Sequence, residues 1–247
     1  SEISEFHEWG AIKTTFSQYG FRADVTPSSL EAVRHRRAGV QDEGSQLVAS
    51  IFAQAAADKS SWLDLCAGPG GKAALLASIA GQGDHRFVAN EISQIRADLV
   101  KQVVGSHEVW VGDPREIATR GEGFDAILAD VPCTGMGALR RRPEVRWRRS
   151  LSDLRELGVL QREISDAAIS ILNVGGVFGY ATCSPHLAET SIAVADILKK
   201  HPELEQIDIQ PFMPLGLEGG VRDKSMALWT QRHNTDAMFL ALFRKIS

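Results

Sequence analysis

From Trp62 onward the apolar positions form short continuous runs that alternate with segments of helical period. The runs Trp62 to Leu65, Arg86 to Glu91, Glu108 to Val111, Phe124 to Asp130 and Gly176 to Thr182 read as strands. Between and after them, Lys72 to Ala80, Ser93 to Val104, Leu151 to Leu172 and Ala188 to Lys199 read as helices. Leu204 to Ile209 and Met238 to Arg244 add two later strands. Such alternation predicts a doubly wound α/β fold with a mostly parallel, seven-stranded sheet, because strands covered by helices on both faces carry no polar side. Upstream, Asp42 to Ala57 reads as a further helix: Asp42 or Ser45 can cap it, and Leu47, Val48, Ile51, Phe52 and Ala55 recur at helical spacing. Residues 1–38 show no clean period and carry the basic cluster Arg34 to Arg37, so they are expected to be an N-terminal extension or accessory segment, with residues 39–247 as the main domain.

Composition changes this picture little. At 247 residues, 44% apolar and 23% charged, the chain is ordinary for one globular domain. No run of about 18 apolar residues suggests a membrane span, and the acidic start SEISEFHEW lacks an apolar signal core. The first residue is not Met, which raises the expectation of a preceding domain. Cys66, Cys133 and Cys183 are odd in number and far apart, and the histidines, His7 and His35 among them, show no compact ligand spacing. A monomer without a structural metal, in a reducing cytoplasmic setting, is expected. The net charge of -4 gives no global attraction to nucleic acid, but RRRPEVRWRR at residues 140–149 holds six arginines and Trp147 against Glu144 alone. That is a local patch suited to RNA phosphates, with an indole available for base stacking.

The candidate chemistry gathers at the strand ends. DLCAGPGGK, comprising Asp64, Leu65, Cys66, Ala67, Gly68, Pro69, Gly70, Gly71 and Lys72, follows the first strand and opens a helix. Glycines permit a tight turn there, and a helix N-terminus offers unpaired N–H groups to a ligand. The segment is not a P-loop, since Cys66 stands where the first glycine should be and Ala73 where the hydroxyl should be. Glu91, ending the second strand, can accept hydrogen bonds from a cofactor ribose or cap a helix. Asp113, after the third strand, can bind an adenine amino group or cap the helix that starts at Pro114. Cys133 in DVPCTGMG and Cys183 in YATCS follow the fourth and fifth strands, at the edge where open α/β sheets bind ligands.

Two such thiols suit covalent catalysis on a pyrimidine. Thiolate addition at carbon 6 of cytosine makes carbon 5 nucleophilic toward a methyl sulfonium, Asp130 can stabilise the charge that develops near ring nitrogen N3, and a second base such as Cys133 can take the carbon 5 proton. QDEGSQ at residues 41–46, DLCAGPGGK, Glu91 with Arg96, GDP at 112–114, DVPCTGMG at 130–137, RRRPEVRW at 140–147 and YATCS at 180–184 occur in this order. Over about residues 38–247 the chain thereby resembles the Nop2/Sun family of RNA cytosine-5 methyltransferases, in particular those acting on bacterial small-subunit rRNA. The resemblance implies a Rossmann-like methyltransferase fold, S-adenosylmethionine as cofactor, RNA as partner, Cys183 as nucleophile, Cys133 in product release and Asp130 at the target base. It also implies that Asp64, Gly68, Gly70, Lys72, Glu91 and Asp113 surround the cofactor, and that the preceding domain is an N-terminal RNA-binding domain. Glu91 in place of the family's usual Asp, Thr190 after Glu189 where Asn is common, and the ending TDAMFLALF depart from the pattern.

Alternatives stay open at this point. A tRNA could replace rRNA as substrate. A DNA cytosine methyltransferase would also carry a cysteine after proline at the fourth strand, and a nicotinamide-dependent dehydrogenase would share the glycine turn. A noncatalytic RNA-binding or assembly protein would keep the fold without the transfer.

Overall fold

The computed structural model describes residues 6, 8 and 10–247; His7 lies outside the described residues. Five strands form the parallel half of the sheet: β3 (Ser61–Asp64), β4 (Arg86–Glu91), β5 (Glu108–Val111), β6 (Phe124–Asp130) and β7 (Leu172–Thr182). They lie in the order β5-β4-β3-β6-β7. The order reverses between β3 and β6, which opens a crevice beyond their carboxyl ends. Asp64, Glu91 and Asp130 end three of these strands, so the candidate polar residues stand on the rim of that crevice.

The apolar alternation places helices on both faces. Helix α2 (Glu43–Ala55) and helix α3 (Gly71–Gln82) cover one face, where Phe52, Leu76, Trp62 and Phe87 interlock. On the other, α6 (Leu151–Ile171) and α7 (Ser191–Lys200) pack Ile164, Ile169 and Val194 against Ile127 and Phe178. Between them in the chain run α4 (Gln94–Lys101), after β4, and the four-residue α5 (Val145–Arg148), just before α6. A reciprocal Ser150–Asp153 capping box starts α6, which satisfies end groups a helix cannot pair internally.

The sheet has nine strands rather than the expected seven. Beyond β7 lies β11 (Phe239–Lys245), antiparallel to it, flanked by β8 (Leu204–Ile207) and by β10 (Ser225–Ala227), with β9 (Val221–Arg222) outermost. Strands β9 and β10 are the unforeseen pair, joined by Asp223 and Lys224 at φ 47° and 62°. Two successive left-handed residues make the tight hairpin whose twist suits antiparallel strands. Runs of two and three residues carry no alternation, and this turn contains no glycine to announce it.

Residues 1–38 include a hairpin, β1 (Ile12–Lys13) with β2 (Phe21–Arg22), followed by the short α1 (Glu31–Arg34). The hairpin is fastened to α2 through buried Glu43, which accepts from Ser17 N–H (3.0 Å) and pairs with Arg22 (2.7 Å). Among the described residues, no helix is long and apolar enough to cross a membrane, and no group of three His, Cys, Asp or Glu side chains is placed to hold a metal ion.

Candidate active site

The turn after β3 is shaped by close approach. Gly68 N–H donates to Glu91 Oε2 at 3.0 Å, and a Cβ on Gly68 would stand 2.1 Å from that oxygen. Gly70 caps α3 at φ 115°, where a side chain would meet Val103 at 2.9 Å and the backbone is open to glycine alone. Gly68–Pro69 is a cis peptide, and Ala67 N–H is held by the Asn90 carbonyl at 2.9 Å. Glu91 itself is buried; its Oε1 accepts from Ser93 N–H (2.8 Å) and pairs with Arg96 (2.6 Å). Gly68, Glu91 and Arg96 are thus one unit, as their coincidence in the sequence suggests.

Asp64 is different, for it is buried and neither carboxylate oxygen has a hydrogen-bond partner. Burial, reinforced by the nearby Asp130 charge, pushes its pKa up to about 7. An orphaned acid under a glycine turn fits a cationic ligand group. Lys72 does not answer it with a hydrogen bond: its ammonium donates to Asp130 Oδ2 at 2.7 Å. Burial disfavours the Lys72 charge, but Asp130 outweighs it and leaves the pKa above the ordinary value. Cys66, one turn residue, is half-buried against the core beneath α6, and burial pushes its thiol well up. Asp113 caps the 3-10 turn from Pro114 by accepting from Arg115 N–H (2.9 Å), and the Arg115 guanidinium pairs with it at 2.6 Å. Those bonds hold its carboxyl below the usual range.

The thiols of Cys133 and Cys183 meet, Sγ to Sγ 3.3 Å. They follow adjacent parallel strands paired Asp130 to Ala181 at their ends, and Val131 N–H donates to the Ala181 carbonyl at 3.0 Å. The Cys133 hydrogen bond, helped by the Lys72 ammonium against burial, lowers the pKa of Cys183. The same contact, together with burial, raises Cys133 well above the ordinary thiol range. One sulfur is therefore predisposed to be thiolate and its neighbour to carry the proton.

Three features of the site were not singled out in the sequence. Asn90 donates to the carbonyls of Leu65 (3.1 Å) and Gly112 (3.2 Å), lashing the ends of β3, β4 and β5 together. Its signal is an amide inside the apolar run FVANE. Gly137 has no room for a Cβ, which would lie 2.1 Å from the Ala237 carbonyl and 2.8 Å from that of Cys183. It donates to the Cys183 carbonyl and accepts from Ala237 N–H, each at 2.9 Å. Finally, fully buried Glu189 accepts from Thr134 N–H (2.8 Å), Thr134 O–H (2.5 Å) and Gln161 Nε2 (3.1 Å).

The arginine patch divides. Arg140 pairs with Asp42 (3.1 Å) and the Asn234 carbonyl (3.1 Å), while Arg141 binds buried Asp236 through two nitrogens. Arg142 faces Glu144 at 3.5 Å, and Arg149 Nε reaches the Thr134 carbonyl at 3.3 Å. Arg146 lies over the ring of Trp147, which is 83% exposed, and both are borne on α5 beside exposed Arg148. The surface able to meet a polyanion is therefore Arg146, Trp147 and Arg148, with Arg142 at its margin.

Comparisons with known proteins bear on the family and the fold. The family model described as 16S rRNA methyltransferase RsmB/F matches residues 51–244. The Mycobacterium tuberculosis protein Rv1407 is 49% identical over 236 residues, 94% of this chain and 51% of its own. Ribosomal RNA small subunit methyltransferase B of Pectobacterium carotovorum is 37% identical over 177 residues, covering 69% of this chain and 40% of that protein. NSun6 from Pyrococcus horikoshii, solved with SFG, superposes with a TM-score of 0.77 at 25% identity, over 90% of this chain and 57% of that one. The chain thus spans about half the length, or less, of these relatives.

Proposed function

Because the chain belongs to the 16S rRNA methyltransferase RsmB/F family, we propose that it transfers the methyl group of S-adenosylmethionine to carbon 5 of a cytosine in RNA, with small-subunit rRNA as the substrate and residues 39–247 as the catalytic domain. The observation that carries this reading is the pair of thiols 3.3 Å apart beyond two parallel strands, beside the Lys72–Asp130 pair. A DNA-type arrangement needs only the cysteine after proline. The second thiol in contact with it favours the RNA chemistry. Nothing in the glycine turn favours a nicotinamide over this donor, whereas the unpartnered Asp64 carboxylate suits a molecule carrying an ammonium and a sulfonium.

When bound, S-adenosylmethionine supplies an electrophilic methyl group. Asp64 and the backbone of Cys66 to Gly71 would hold its amino-acid end, Glu91 its ribose, and Asp113 its adenine edge. Arg96 orients Glu91. Cys183 gives its electron pair to carbon 6 of the cytosine, and the ring electrons move toward ring nitrogen N3, which takes a proton from the Asp130 carboxyl while the Lys72 ammonium balances the charge left on that carboxylate. After carbon 5 has taken the methyl group it still carries a proton. Cys133, the more basic sulfur once its own proton has passed to solvent, accepts it; the double bond re-forms and Cys183 leaves as thiolate. Arg146, Arg148 and Trp147 hold the RNA alongside.

Incubating the protein with RNA from cells lacking this modification and a labelled methyl donor, then mapping the labelled base, tests the assignment. Label at carbon 5 of an rRNA cytosine is expected. Label in tRNA alone would move the substrate, and RNA binding with no incorporation would favour an assembly role.

A further inference from the structure

We propose that Glu189 is a positioning residue that fixes the second thiol against the nucleophile, a role that rests on the covalent cytosine chemistry above. Cys133 stands between Pro132 and Thr134, and both neighbours are tied to the same buried group. Thr134 donates its N–H (2.8 Å) and its hydroxyl (2.5 Å) to the two oxygens of Glu189. The Pro132 carbonyl accepts from Gln161 Nε2 at 2.9 Å, and that nitrogen also reaches Glu189 at 3.1 Å.

Glu189 in turn is anchored from the nucleophile's own strand. Its backbone carbonyl faces the Tyr180 hydroxyl at 3.1 Å and the Thr182 hydroxyl at 3.3 Å, and these residues end the strand that delivers Cys183. One residue therefore grips the Cys133 loop with its side chain and the Cys183 strand with its backbone. Besides it, the two segments are joined by the Val131 N–H to Ala181 bond at the strand ends, by the Gly137 N–H to Cys183 bond and by a long Thr134–Ser184 hydroxyl contact at 3.3 Å. The site is sealed, so water cannot stand in for a missing oxygen without a shift of the loop. Two sulfurs at 3.3 Å are already inside ordinary van der Waals contact, and a small displacement of the Thr134 loop ends their hydrogen bond. Cys183 must reach carbon 6 while Cys133 reaches the proton on the adjacent carbon, so release depends on this spacing more than attack does.

The test uses the whole chain and two readouts. Dibromobimane, which fluoresces strongly only when both arms have alkylated neighbouring thiols, measures the Cys133–Cys183 pair without RNA or methyl donor, and mass spectrometry maps the bridge. Glu189→Gln keeps the volume and one acceptor; Glu189→Leu keeps neither acceptor. Bridging is expected to slow severalfold in the first and about tenfold or more in the second. With RNA and donor present, Glu189→Gln should hold the first methyl transfer within about threefold of the wild type while slowing release of the RNA adduct about tenfold. A general loss of structure would slow both steps together. If Glu189→Leu does not fold, Thr134→Val removes the hydroxyl arm alone and should shift the same two readouts in the same direction. Bridging at the wild-type rate in folded Glu189→Gln and Thr134→Val, or equal slowing of transfer and release, overturns the proposal. A wild-type protein that bridges with bimane yet forms no RNA adduct would instead sink the covalent reading, and the bimane series would still decide what Glu189 does.

Discussion

Replacing Gly68 with Ala puts a methyl group where the structure has no room for one. Its Cβ would stand 2.1 Å from Glu91 Oε2, 2.8 Å from Glu91 Cδ and 3.2 Å from Arg96 Cβ. The carboxylate must retreat by roughly 1 Å or more to reach ordinary contact. Retreat breaks the Gly68 N–H bond at 3.0 Å and disturbs those from Ser93 and Arg96 at 2.8 and 2.6 Å. A hydrogen bond to a charged acceptor contributes about 1.5–3 kcal/mol, and a misplaced Glu91 would forfeit the ribose contacts proposed for it on that scale, which is about ten- to a hundredfold in Kd. Titration calorimetry with S-adenosylhomocysteine measures this directly, with circular dichroism to confirm the fold. Gly81→Ala is the control, since a Cβ there meets only His107 at 3.6 Å, far along α3 from the turn. Wild-type affinity in Gly68→Ala, or an equal loss in Gly81→Ala, would refute the argument from close approach.

Cys183→Ala should abolish the covalent RNA adduct, whereas Cys133→Ala should let it accumulate; denaturing gels and mass mapping read both, and an adduct at Cys133 would reverse the roles. Asp64 has a folded pKa of about 7 against 3.8 unfolded, so between those values the folded chain holds a proton that the unfolded chain has released. Stability from this group is therefore greatest at low pH and declines as pH rises to about 7, by on the order of 4 kcal/mol at most. Donor binding has the opposite slope, since a cationic ligand needs the ionised acid, and affinity should fall toward tenfold per pH unit below 7; Asp64→Asn should flatten both profiles. Neutralising Arg146 and Arg148 should weaken RNA binding and reduce its salt slope by roughly one each, while Arg141→Ala should leave that slope alone and cost about 1–3 kcal/mol by stranding buried Asp236.

The alternation of apolar runs and helical segments made the parallel half legible, because β3, β4, β6 and the second half of β7 are buried on both faces and have little polar side to blur them, although the edge strand β5 is only half-buried. The β9–β10 hairpin was illegible for want of length. The juxtaposition of strand-end residues was readable where motif and topology coincide, as for Gly68 with Glu91 and for the two cysteines. It failed where a partner is distant in sequence: Arg140 and Arg141 look like free cations beside Trp147, yet their acids, Asp42 and Asp236, lie 98 and 95 residues away. Asp113 shows the reverse case. A local cap with Arg115 explains its bonds within the protein, and an adenine contact would have to share that carboxylate. Glu189 stood in plain view next to the departure at Thr190, but only the folded chain reveals that its side chain faces Thr134.

Strand β11 lies between β7 and β10, hydrogen-bonded to both, although it is made after either of them. On a ribosome the strand that ends at Cys183 is therefore made before the neighbour that borders it exists. The bond from Ala237 to Gly137, and through Gly137 to the Cys183 carbonyl, can close only when residues just before β11 have left the exit tunnel. The parallel half, β3 to β7, has its pairing partners early, while β11 comes last, as a late insertion along the edge of an already twisted sheet.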